Sequence, residues 1–277
     1  MSEVGRPDLR GLRVGITAER RAEEQAALVR ALGGVPLVCP TARVAWEDDV
    51  EAPQRWLDTV CAGVDDAVFM TGMGAERLLT HAHAAARLDD VVRHLAAARV
   101  VVRGSKAQPV LRRHGIRVDL APRPATSTGV LATLGNDLRG RRAVVQLAGP
   151  EPSPLLDGLR AAGADAVGIC IYRYPPDAVV GAADALVEAI VGRELDAVTF
   201  TSAPAVDGLV AASVQTGDWP AVRRRLNAMI VAAVGPVTAD ALARNAVAVH
   251  VQPAEPRMGP MMRELVARVA SGRGGRG

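Results

Sequence analysis

The stretch DDAVFMTGMGAERLL, Asp65–Leu79, has a second version in LDAVTFTSAPAVDGL, Leu195–Leu209. Each is a short apolar run that ends in small or hydroxyl-bearing residues and then takes up helical spacing. Aligning Asp66 with Asp196 sets an offset of 130. RGSKAQPVL from Arg103 matches VGPVTADAL from Val234, so Gly104 meets Gly235 at an offset of 131. ALGGVPLV from Ala31 matches AAGADAVG from Ala161, again at 130. Three segments that hold one offset within a residue point to an internal duplication.

Each half reads as alternating strand and helix. Strands are expected near 12–17, 35–39, 66–71, 99–103 and 116–120, then near 142–147, 165–173, 196–201, 230–234 and 247–251. These runs are short, continuous and rich in valine, as strands covered on both faces are. The stretches between them, such as Glu19–Leu32 and Ser105–His114, carry apolar residues three and four apart. The fold class is α/β: two doubly wound parallel sheets related by the repeat. Pro36 and Pro40 bracket one run, and IYRYPP follows another. Proline cannot donate to a sheet ladder, so these two places read as peripheral connectors. The closing SGRGGRG has nothing to bury, and residues 271–277 are expected to lack fixed structure.

The 277 residues are about half apolar, with a net charge of +3. That charge hints at anionic partners without requiring them. The opening MSEVGRPDLR is charged and does not read as a signal peptide. No apolar run is long enough for a membrane span. Cys39, Cys61 and Cys170 show no C-x-x-C spacing, which argues against a disulfide framework or zinc site and for the cytoplasm. Trp46, Trp56 and Trp219 stand apart in sequence and offer no stacking platform for single-stranded nucleic acid. GMGAER lacks the third glycine of a dinucleotide loop. His81 and His83 lie two apart, on different helix faces.

Ligands of open parallel sheets bind beyond the C-terminal ends of the strands. Those ends carry Thr17, Thr71 with Gly72 and Gly74, Arg103-Gly104-Ser105-Lys106, Thr201-Ser202, and Gly235 with Thr238. Each precedes a helix, whose free N–H groups attract anions; the hydroxyls could equally be plain N-caps. Lys106 is the one lysine in the chain. It is expected in a first helical turn, where the helix field disfavours a cation and an anionic ligand would offset that cost. The competing reading is a solvated surface lysine. Tyr172, one of two tyrosines, is either a hydrogen-bond donor facing a gap or a packing residue.

Taken together, the strand end at Thr17 with Gln25 after it, FMTGMGA, RGSKA, IYR, TFTSAPAV and VGPVTADAL with its following VQP resemble the uroporphyrinogen-III synthase family, over about Leu12 to Val269. The resemblance implies two α/β domains joined by a two-stranded ladder, with the active site in the cleft. The repeat alone suggests a cut near residue 140. The resemblance instead implies a discontinuous first domain, residues 1–38 with 174–270, and a second at 39–173. It implies a lyase that cyclises hydroxymethylbilane, a polyanionic tetrapyrrole, with no cofactor and no metal; a monomer is expected. Tyr172 becomes the candidate catalytic residue, and the strand-end residues become candidate substrate contacts. Gly72 and Ala107 depart from the family, which usually has Ser and Thr there. This pattern is more like a subgroup fused to a winged-helix DNA-binding domain, so a non-catalytic, ligand-sensing module is the alternative.

Overall fold

The structure, a computed structural model, describes residues 8–46, 51–147, 149 and 153–271. The chain runs through β1 (Arg13–Ile16), α1 (Ala22–Ala31), β2 (Val35–Val38), β3 (Ala45–Trp46), α2 (Glu51–Cys61), β4 (Asp66–Phe69), α3 (Gly72–Ala84), α4 (Leu88–Ala97) and β5 (Arg99–Val102). It continues through α5 (Gln108–Arg113), α6 (Ser127–Leu134), β6 (Arg142–Gln146), α7 (Pro154–Ala161), β7 (Asp165–Ile169) and β8 (Tyr172–Arg173). The last segment is α8 (Val180–Val191), β9 (Ala197–Phe200), α9 (Ala203–Gln215), α10 (Trp219–Asn227), β10 (Ile230–Ala233), α11 (Pro236–Arg244) and α12 (Met258–Ser271).

Two compact units form, one from the segments ending at Arg43 and beginning at Tyr174, the other from Val44–Arg173. The division falls at Arg43 rather than at residue 38. Cys39 is buried in the core of the first unit, and Thr41 Oγ1 donates to the Ala205 carbonyl there at 2.6 Å.

The first unit holds a parallel sheet in the order β10-β9-β1-β2. Side chains alternate across it, as the pleat demands. Val14, Ile16, Ala197 and Ala232 pack with Met261, Met262 and Leu265 of α12 on one face. Val198, Phe200, Val231 and Ala233 pack with Leu186, Leu209 and Leu226 on the other. Each fully buried Val, Leu, Ile, Phe or Met among them contributes about 1.5–3 kcal/mol. The second unit repeats the plan as β5-β4-β6-β7, also parallel. Val68, Val101 and Val145 pack with Leu155 and Leu159 on one face. On the opposite face Phe69 meets Trp56 edge-on, ring centroids 6.1 Å apart.

The duplication is therefore structural, but its register differs from the sequence alignment. Asp66 pairs with Arg99 in one sheet, and Ala197 with Ile230 in the other. Asp65, not Asp66, is the counterpart of Asp196. One oxygen of Asp65 accepts the N–H of Arg142 at 2.7 Å, and one of Asp196 accepts the N–H of Arg13 at 2.8 Å. An offset of 131 runs through β4, α3 and β5, so Thr71 matches Ser202 and Gly72 matches Ala203.

Four further expectations are corrected. The runs 116–120 and 247–251 are not strands; each makes a single bridge, Leu120 to Val101 and Val251 to Ala232. The reason is the same in both. A side chain replaces a backbone carbonyl: an Asp119 carboxylate oxygen accepts the Val100 N–H at 2.7 Å, and His250 Nδ1 accepts the Val231 N–H at 3.2 Å. A proline follows at 122 and 253. β2, expected as a connector, is an edge strand on β1, where Pro36 is tolerated. The antiparallel ladder is instead β3 with β8, pairing Trp46 with Tyr172, and the long run 165–173 breaks after Ile169. Ser271, placed in the tail by its sequence, closes α12; the rest of that tail, 272–277, lies outside the described residues.

His250 carries a pH test of this edge. Burial, then the charge of Arg268, push its pKa below the usual 6.5. The unfolded chain then binds this proton more readily than the folded one. The stability it supplies is complete above pH 6.5 and is lost as pH falls below that value. His250→Asn keeps an acceptor near the Nδ1 position without a titrating group. Urea midpoints measured from pH 7.5 down to 5 are expected to fall more steeply for the parent than for this variant.

Candidate functional site

At the C-terminal end of the second unit's sheet, β4 runs out at Phe69 and α3 begins with Thr71 as N-cap. Thr71 Oγ1 accepts the Gly74 N–H at 3.1 Å, so the capping reading holds for this residue. The two glycines of GMG serve packing rather than a phosphate loop. A Cβ on Gly72 would collide with the backbone carbonyl of Lys106, and one on Gly74 would collide with the carboxamide of Gln146.

Gln146, fully buried at the end of β6, was not singled out from sequence. Its signal was a polar residue closing the valine run RAVVQ. Its Oε1 accepts the Thr71 N–H at 3.0 Å, and its Nε2 donates to the Leu147 carbonyl. Tyr172 completes the group, its hydroxyl 3.1 Å from Thr71 Oγ1. The hydrogens have one economical arrangement. Thr71 Oγ1 accepts from Gly74 and from Tyr172 and donates onward to Gln146 Oε1, 3.3 Å away. The Tyr172 side chain is 1% exposed. Its hydroxyl is thus engaged with Thr71 rather than turned to open space. Burial is the main cause that raises its pKa above the usual 10, against the opposing bond to Thr71 and the charge of Arg103. At neutral pH it is a protonated phenol. Trp46, also missed, stands edge-on to the Tyr172 ring at 5.7 Å, and the Arg77 guanidinium lies over Trp46 at 5.5 Å.

The Arg103–Lys106 stretch reaches the same edge. The Arg103 N–H donates to the Phe69 carbonyl at 3.0 Å, which ties the turn to the end of β4. Arg103 and Gly104 are half-buried, and Ser105 and Lys106 are exposed. Lys106 is not in a first helical turn. α5 starts at Gln108 with Ala107 as its cap, because Pro109 suits only the helix start. Lys106 belongs to the preceding turn, and its carbonyl is what lies against Gly72.

The first unit's edge is built differently. Thr17 is fully buried and donates its hydroxyl to the Thr199 carbonyl at 2.9 Å, so it braces β1 against β9. Gln25 Nε2 adds a bond to Thr199 Oγ1 at 2.8 Å. Ser202 caps α9 in position but makes no side-chain cap bond, and Thr201 and Ser202 are half-exposed. Gly235 precedes α11, and Thr238 in its first turn is buried. Of the sequence candidates, the structure brings Thr71, Gly72, Gly74, Lys106 and Tyr172 into one contact network. Thr201, Ser202, Gly235 and Thr238 sit at helix starts of the other unit, and Thr17 is buried there against Thr199. No group of three His, Cys, Asp or Glu side chains among the described residues is placed to hold a metal. No helix among them is long and apolar enough to cross a membrane.

The Gly72 contact can be tested directly. Gly72→Ala must push the Lys106 turn away from α3, and overlaps of this kind cost about 1–3 kcal/mol. Chemical denaturation is expected to show that loss; a variant as stable as the parent would mean that the two segments part freely.

Three comparisons bear on identity. The family model of uroporphyrinogen-III synthase HemD matches residues 23–263. The uncharacterized protein YjjA of Bacillus subtilis (strain 168) is 30% identical over 262 residues, covering 93% of this chain and 96% of its own. A crystal structure of a mutant uroporphyrinogen III synthase from the extremely thermophilic bacterium Thermus thermophilus has a TM-score of 0.78 at 27% identity, covering 94% of this chain and 100% of that one. The wild-type Thermus thermophilus enzyme in another crystal form has a TM-score of 0.64 at 28% identity, with 95% and 99% covered. With its family match spanning most of its length and the duplicated α/β plan in place, the chain belongs to the uroporphyrinogen-III synthase family.

Proposed function

We propose that the chain is a uroporphyrinogen-III synthase, a hydro-lyase that closes hydroxymethylbilane into a ring with inversion of ring D. The observation that carries this reading is the hydrogen-bonded chain Tyr172–Thr71–Gln146 at the strand ends of a member of this family. The substrate is a flexible polyanion with a hydroxymethyl group at one end. Holding it in one folded conformation supplies most of the acceleration, through proximity and orientation. The helix start at Thr71, with Arg103 and Lys106, supplies N–H groups and cations for its carboxylates.

On this reading Tyr172 exchanges its bond to Thr71 for one to the departing hydroxyl and donates its proton as the C–O bond breaks. Water leaves, and the pyrrole N–H proton released on forming the azafulvene returns to the phenolate. Ring D then attacks through its substituted carbon; the spiro intermediate fragments and recloses with the ring turned over. The raised pKa keeps the phenol protonated at neutral pH, the form that has a proton to give.

A second reading draws on Gly72 and Ala107. Neither residue carries a hydroxyl, a Cβ at 72 would meet the Lys106 carbonyl, and Ala107 is 1% exposed. That favours a ligand-sensing module without turnover. A coupled assay separates the two: a deaminase supplies hydroxymethylbilane, and uroporphyrin isomers I and III are resolved. Isomer III supports the enzyme; isomer I alone, with tetrapyrrole binding retained, supports the module.

Two variants probe the site. Tyr172→Phe is expected to lower kcat for isomer III by about 10²–10⁴-fold, the usual worth of a general acid, with KM little changed. It also loses one buried hydrogen bond, about 1 kcal/mol of stability. Full isomer III formation by this variant would leave the tyrosine a packing role. Lys106→Ala is expected to weaken tetrapyrrole binding by at most about fivefold, as for an exposed ion pair. Lys106→Glu should weaken it further, and the loss should shrink as salt rises. Equal affinity of Lys106→Glu and parent at low salt would remove Lys106 from the binding edge.

A further inference from the structure

Trp46 of β3 is 38% exposed, although Tyr172 and Arg77 both lean on it. It stands opposite Tyr172 in the β3–β8 ladder, so its open surface adjoins the ring of the candidate catalytic residue. The Arg77 guanidinium lies 5.5 Å from the indole centroid. Arg77 is exposed, and among the described residues it meets this indole and no carboxylate. Its sequence neighbour Glu76 is held by Arg113. A guanidinium over an aromatic ring uses its charge there and not its N–H groups, so its paired donors stay open to an anion.

The other half of the duplication shows that the fold does not need this pair. At the offset of 131 that relates α3 to α9, Gly208 holds the position of Arg77. There the chain that leaves β2 passes directly over the helix: a Cβ on Gly208 would fall on the Thr41 carbonyl, and Thr41 is fully buried. The first unit thus closes this turn with glycine and backbone. The second keeps it open, with an arginine on the helix and an indole on the adjoining strand. Apolar ring surface beside an open cation is the complement of an aromatic acid. Each pyrrole ring of the tetrapyrrole is such an acid. Resting on the function proposed above, we infer that Trp46 and Arg77 form a subsite for one pyrrole ring, the indole packing against the ring and the guanidinium pairing with its carboxylate. A ring held there lies beside Tyr172, so the subsite orients the substrate at the phenol.

The test is titration of the full chain with uroporphyrin I, a stable tetrapyrrole polycarboxylate, followed by the absorbance of the porphyrin. Saturable binding is expected in the parent. Arg77→Gln should weaken it about three- to fivefold, as for an exposed ion pair, and the difference should narrow as salt rises. Trp46→Leu removes the ring and should weaken binding about five- to tenfold at low and high salt alike, as for loss of an aromatic pair, whereas Trp46→Phe should keep most of the affinity. Arg77 is exposed, so Arg77→Gln decides the matter even where Trp46→Leu loosens the β3–β8 ladder. Parental affinity in Arg77→Gln at low salt would overturn the subsite and leave the proposed function intact. A loss in Arg77→Gln that salt does not reduce would overturn it too, because it would mark a packing role. A parent that fails to bind uroporphyrin I would remove the tetrapyrrole reading, and the subsite with it.

Discussion

Asp65 and Asp196 each hold, through one carboxylate oxygen, the N–H that opens the neighbouring strand, at Arg142 and at Arg13. These two bonds pin the central strand pair of each sheet. In a structure with a period of two, a slip of one residue turns every side chain to the other face. Such a slip at β6 would carry Gln146 away from the Thr71 N–H and leave Tyr172 without its relay. It would also separate Asp66 from Arg141. Both ends of the second unit's sheet therefore depend on one register, set by the Asp65 carboxylate.

The duplication and the alternating α/β plan were legible because valine-rich runs and turn residues recur at nearly constant spacing. The exact offset was not. Two aspartates stand side by side at 65 and 66, and sequence matching chose the wrong one; only the strand-capping bond tells them apart. The runs 116–120 and 247–251 look like strands because periodicity records side chains and not what accepts a backbone N–H. Lys106 was misplaced for a related reason, since the helical pattern begins before the helix does and Pro109 marks the true start. At the site, hydroxyls and glycines at strand ends were visible as a class. Their tasks were not, because capping, packing against a carbonyl and bracing a strand all use the same small residues. Gln146 escaped notice since a single polar residue at the end of an apolar run carries no pattern.

The two units have taken one plan in different chemical directions. At the C-terminal strand ends, the second unit spends its hydroxyl on its own helix cap, whereas Ser202 in the first makes no cap bond. At the N-terminal ends, the first unit is apolar where the second buries a carboxylate between two arginines. Even the shared device at the sheet edge differs, a carboxylate in one and an imidazole in the other. A duplicated fold frees each copy in turn, because whatever one copy does without cannot be a requirement of the architecture.

The contact between Gly72 and the Lys106 carbonyl has a consequence for how this chain can change. With the turn seated on a bare Cα, a serine at 72 has no volume to enter. Placing a hydroxyl there takes two steps, and the first of them, loosening the turn at 103–107, removes support from the end of β4 before any new contact exists. A hydroxyl at Ala107 faces a similar obstacle, as that side chain is already enclosed. The two segments are thus interlocked: a side chain at 72 and the path of the backbone at 103–107 can change only together.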